Sequence, residues 1–246
     1  MPSLSRADDR TPAGSSATNR VAAEAIGRLG FGLLRNGRPE TLTTWRISAR
    51  DPEVVARVAV LFRGMPRKSS DADEYEWHVV TETATMAVII SGPHALQVCW
   101  RRDGLGRRCG GPEQGEGARC ACGSLRSLAE RKAAARRGHG CVPNIEMSFQ
   151  LVDDPTLGMF TFVSGNWSFA EQAVMTEAVL GNLAVPTLIQ LSLKQTRHVL
   201  RGGRSVTYTR PTLTVLGTSL PNSLAVTSRL SWPAPTAVSS PSRCGA

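Results

Sequence analysis

The sequence predicts an α+β fold: a mainly antiparallel sheet with two or three helices and a zinc-stapled basic helical insertion. Three observations predict it. Apolar residues alternate with polar ones at Ile145, Met147, Phe149 and Leu151, and again at Ile189, Leu191 and Leu193, which is the two-residue period of strands with one buried face. The elements run strand, helix, strands, cysteine segment, hairpin, helix, hairpin, instead of the regular alternation that builds a parallel sheet. Cys109, Cys120, Cys122 and Cys141 fall within one glycine- and arginine-rich segment that is too poor in apolar residues to repay its own ordering.

Each element has a local reason. Thr41–Ser48 is rich in β-branched and aromatic residues and is expected as a strand. Asp51-Pro52 supplies an N-cap and a first-turn proline for a helix reaching Phe62. Strands follow at Glu76–Thr81, Met86–Ser91 and Leu96–Arg101, the last two separated by Gly92-Pro93. Ser124–Arg137 consists of strong helix formers and stops at Gly138. The strand through Ile145–Leu151 is expected to turn at Asp153-Asp154-Pro155 and return through Met159–Val163. Ser168 to Glu171 fits a capping box for a helix to Leu180, and a final hairpin pairs the strand through Ile189–Leu193 with Ser205–Leu216 across the basic turn Arg201–Arg204. Gly27, Gly30 and Gly32 follow no evident strand and are expected as a flexible turn, not a phosphate loop.

The 246 residues, 41% of them hydrophobic, suffice for one sizeable core. Residues 1–20 and 220–246 are polar and aperiodic and are expected as mobile ends around a single domain over 21–219, with 102–141 as its insertion. No apolar run approaches the roughly 20 residues needed to span a bilayer. The N-terminus lacks the apolar stretch of a secretory signal, so a cytoplasmic protein without a membrane partner is expected.

Lys plus Arg number 29 against 20 acidic residues, a net charge of +9, which makes nucleic acid or an acidic protein surface a plausible partner. Between Arg101 and Cys141 lie ten Lys or Arg and four acidic residues, so most of the excess sits in one segment. In the same segment ten residues separate Cys109 from Cys120, Cys120 and Cys122 form a C-x-C pair, and eighteen residues precede Cys141. Four thiolates can fill the corners of a tetrahedral structural zinc site, and cysteines without an export signal favour metal over disulfide. A reduced cluster and a redox disulfide are the alternatives. Cys99, in an apolar strand, is expected as a buried inert thiol. With its base held by zinc, the helix through Arg126, Arg131, Lys132, Arg136 and Arg137 would project as a solvated contact arm.

No catalytic site is expected. His78, His94, His139 and His198 are scattered and fall in no H-E-x-x-H motif, and no G-x-S-x-G motif is present. Asp153-Asp154 suits a turn better than a carboxylate pair. On the last helix Phe169, Ala173 and Leu180 form a core line, whereas Met175 and Val179 stand together elsewhere, either buried against a second layer or forming a partner patch.

With these residues in view, the chain closely resembles the recombination directionality factors of Streptomyces temperate phages, partners of large serine integrases. The resemblance is carried by Thr44-Trp45-Arg46, by Glu76-Trp77-His78-Val79-Val80-Thr81, and by the cysteine segment with LAERKAAARRGHGC. It continues through Leu157-Gly158, Ser164-Gly165-Asn166-Trp167-Ser168, and Tyr208 to Leu216 (YTRPTLTVL), covering roughly 41–217. It implies a protein without chemistry of its own that binds an integrase, including integrase already on att DNA. It further implies a switch from attP × attB integration to attL × attR excision, with direct DNA binding weak or non-specific. The competing reading is a zinc-stapled nucleic-acid-binding or replication-accessory protein, in which counterion release would drive salt-sensitive binding.

Overall fold

The computed structural model describes residues 25–35, 37–69, 75–92, 94–102, 127–138, 140–180, 185–199 and 202–217. Ten strands form one sheet: β1 (Gly27–Arg35), β2 (Arg38–Ala49), β3 (Arg67–Lys68), β4 (Trp77–Val80), β5 (Thr85–Ile90), β6 (Leu96–Arg102), β7 (Cys141–Leu151), β8 (Phe160–Ser164), β9 (Thr187–Val199) and β10 (Ser205–Gly217). Their order is β10-β9-β5-β7-β8-β1-β2-β4-β3, with β6 also paired to β7. Among the described residues three α-helices accompany them: α1 (Pro52–Phe62), α2 (Leu128–Arg136) and α3 (Trp167–Leu180).

The fold class expected from sequence is corrected in two respects. The sheet is mixed, because β1 runs parallel to β8 in the register Gly27–Phe160 to Leu29–Phe162. The segment expected as a glycine-rich turn is that strand. Its first glycine answers to packing: a Cβ on Gly27 would lie 2.8 Å from both the Phe160 ring and the Ser48 carbonyl oxygen. Glycine is needed there because two neighbouring strands close on the backbone, a requirement that looks like flexibility when read along the chain alone.

The second correction concerns the zinc-stapled insertion. Among the described residues no group of three or more His, Cys, Asp or Glu could hold a metal ion. Cys141 is buried at the start of β7, and Cys99 is fully buried and disulfide-bonded, so it is not an inert thiol. Cys109, Cys120, Cys122 and Arg126 lie outside the described residues. The basic helix does not project. It begins at Leu128 behind a reciprocal capping box of Ser127 and Glu130, buries Ala134, and packs on β7. Gly140 permits this approach, since a Cβ there would meet the Ala135 nitrogen at 2.6 Å.

The core lies where β2, β7 and β8 meet α3. Trp45, Phe149, Phe160, Phe162 and Phe169 are fully buried. Phe162 packs edge-on to Trp45 at 5.6 Å between ring centroids and to Phe169 at 5.5 Å, an arrangement aromatic quadrupoles favour. The Trp45 indole N–H donates to the Ala84 carbonyl at 3.0 Å, so its polar edge is satisfied inside the core. Asp51 caps α1 as expected, donating nothing and accepting from the Glu53 amide. For α3 the cap is Asn166, whose side-chain oxygen accepts from the Phe169 amide at 3.1 Å, and Ser168 lies within the first turn.

Candidate interaction surfaces

Helix α3 has two unlike faces. Phe169, Ala170, Ala173, Thr176 and Leu180 are buried against the sheet. On the other side Val174, Met175 and Val179, at spacings of one, four and five residues, are 37%, 74% and 49% exposed. Among the described residues no second layer covers Met175 and Val179, and with Val174 they form an exposed apolar stripe.

The helix is clamped at both sides. The Gln172 side-chain oxygen accepts from the Leu213 amide of β10 at 2.8 Å. Glu177 accepts from the Val98 amide of β6, and burial raises its carboxyl pKa above the ordinary value while that hydrogen bond opposes the rise. At the N-terminal end the Trp167 ring packs 5.7 Å from Trp100, and the Arg131 guanidinium of α2 stands 4.7 Å over the Trp100 ring. A single aromatic stack thus joins the basic helix to the start of the apolar one. Arg131 and Lys132 are half-buried, while Arg136 and Arg137 are exposed.

Buried His78 sits on β4 near Ser69, exposed His94 lies in the turn before β6, exposed His198 lies on β9, and His139 lies outside the described residues. Asp154 is occupied locally. Its carboxyl is held below the ordinary range by a hydrogen bond from the Thr156 hydroxyl and by Arg57, and it caps the short 3-10 turn Pro155–Leu157.

The sequence reading placed the β9–β10 hairpin, through Ile189–Leu193 and Ser205–Leu216, but of its charges it singled out only the basic turn Arg201–Arg204. Both strands are 13 residues long, and beyond Leu193 and Thr209 nearly every residue is exposed. Register pairs Lys194 with Arg210, Thr196 with Tyr208 and His198 with Val206 on one face, and Arg197 with Thr207 on the other. The missed signal was available as a composition shift: residues 178–246 contain seven Lys or Arg and no Asp or Glu.

Among the described residues no helix is long and apolar enough to cross a membrane. A family model described as Gp3-like, recombination directionality factor-like, matches residues 14–216. No solved structure matches the chain.

Proposed function

The chain belongs to the Gp3-like, recombination directionality factor-like family, and from that premise we propose that it binds a large serine integrase and turns it from attP × attB integration to attL × attR excision. The reading draws its physical support from one observation: a solvent-facing apolar stripe, Val174, Met175 and Val179, on a helix clamped at both sides. A rigid apolar stripe loses little entropy on docking, which suits it to a protein partner. The basic helix α2 is joined to the start of the same helix through Arg131, Trp100 and Trp167, so its exposed Arg136 and Arg137 could serve the same partner.

The protein would work without covalent chemistry. A ligand moves an equilibrium only by its differential affinity for the two states, so the factor must grip one integrase arrangement better than another. Turning a 1:99 preference into 99:1 takes about 5.5 kcal/mol of such difference.

The test is recombination by purified integrase on attP × attB and attL × attR substrates, with and without the protein. Stimulation of the second reaction and inhibition of the first are expected. Equal effects on both pairs, or none, would refute the proposal.

A further inference from the structure

The outer part of the β9–β10 hairpin carries Lys194, Arg197 and Arg204, with half-buried Arg210 at its base opposite Lys194, and none of the four has an ion-pair partner among the described residues. Lys194 and Arg210 face each other directly across the strands. Like charges in that position destabilise a hairpin unless an anion lies between or beside them. We propose that this ribbon is a DNA-contacting arm that lays its cations on the phosphates of the DNA held by the recombinase. The inference rests on the function proposed above for where the DNA is, but not for the charge.

Three features favour DNA over an acidic protein surface. Cations stand on both faces of the ribbon, Lys194 and Arg210 on one and Arg197 on the other, with Arg204 at the turn. A flat acidic surface would engage one face only, whereas a groove offers phosphates on both sides. A single β layer with its side chains is about 10 Å thick, and the major groove is about 12 Å wide. The ribbon also cannot recruit a protein strand along its whole edge. The Leu213 amide points away from β9 and is taken by Gln172, and Pro211, on the same side two residues earlier, has no amide to offer. Recognition on this arm must therefore run through side chains. Exposed Tyr208 adds a ring and a hydroxyl able to donate to a phosphate oxygen.

The experiment compares the full chain with the quadruple variant Lys194→Gln, Arg197→Gln, Arg204→Gln, Arg210→Gln. Binding is measured to DNA-free integrase, to integrase on attL DNA, and to attL DNA alone, each across a salt series. For wild type the expected log–log salt slope is steeper on the integrase–DNA complex than on DNA-free integrase by about 3.6, at roughly 0.9 for each of four phosphates. The variant should lose that extra slope yet bind DNA-free integrase as wild type does. An equal loss on DNA-free integrase would assign the ribbon to a protein surface, and an unchanged slope would make it a solvated face; either overturns the proposal. If the chain binds no integrase at all, the function proposed above fails while the DNA-alone arm still decides this one: salt-sensitive binding lost in the variant supports the arm, and identical behaviour of the two proteins overturns it. Should the variant fold poorly, a photo-crosslinking residue at Tyr208 in the otherwise wild-type chain is expected to label DNA in the complex. Labelling of integrase alone, or of nothing, would overturn the inference.

Discussion

Replacing Met175 and Val179 together by serine tests the apolar stripe where its energy should be greatest. The two side chains are 74% and 49% exposed, so a partner covering them would bury the equivalent of a little over one whole apolar side chain. At about 2 kcal/mol for a fully buried side chain, the double variant should lose about 2.5 kcal/mol of binding, or about 60-fold in Kd. The folded chain should hardly notice, because neither side chain is in the core; a melting temperature within about one degree of wild type is expected, as for surface substitutions generally. Titration calorimetry with purified integrase, alongside thermal denaturation of each protein alone, separates the two effects. An affinity within threefold of wild type with an unchanged melting temperature would refute the assignment of the stripe. So would an equal fractional loss of stability and affinity, which would mean that the residues act by holding α3 together.

Three further outcomes follow from the packing. Gly27→Ala sets a methyl 2.8 Å from Phe160 and the Ser48 carbonyl and should cost about 1–3 kcal/mol in a urea melt; an unchanged midpoint would mean that β1 can step away from β8. Gln172→Ala strips the acceptor from the Leu213 amide and should cost about 1 kcal/mol while speeding hydrogen exchange at that amide, and unaltered exchange would refute the clamp. Glu177 has a carboxyl whose folded-state pKa is raised, chiefly by burial, so its ionisation opposes folding: stability falls as pH rises from the unfolded-state pKa through the folded one. Glu177→Gln keeps an acceptor for Val98 and should therefore match wild type near about pH 4 and exceed it at neutral pH. A difference independent of pH would contradict this.

Most strands were legible because their information is local. The alternation at Ile145–Leu151 marks β7, and Asp51-Pro52 marks the start of α1 at the observed residue. What was not legible depends on partners distant in sequence. Gly27 is explained by Phe160 and Ser48, which lie on other strands, so a strand read as a turn, and the parallel pairing that makes the sheet mixed went unforeseen. The second half of the α2 helix read as solvated all round because a helical wheel counts arginine by its charge. Arg131 is instead seated on Trp100, from a strand some thirty positions earlier, and Ala134 is too small to stand out among charged neighbours although it makes the contact with β7. At the surfaces, Met175 and Val179 were visible as a pair but not as exposed, since hydropathy cannot distinguish the inner from the outer face of a helix that is apolar on both.

The two proposed surfaces need not contribute alike to direction. A contact made in both integrase arrangements raises affinity without shifting the balance, and only a contact made in one of them counts toward the switch. In the proposed reading the α3 stripe would meet protein and could be used wherever integrase is found. The ribbon can reach phosphates only if the DNA leaves the integrase along a suitable path, and its path relative to the stripe is fixed because Gln172 ties α3 to the base of β10. Salt should then uncouple the two. With four phosphate contacts, raising salt from about 50 to 200 mM weakens the ribbon's share about 100-fold, while the apolar contact is spared. The protein should accordingly stay on integrase at the higher salt but lose its preference for attL × attR over attP × attB. Loss of binding before loss of preference would place the directional contact on the α3 stripe.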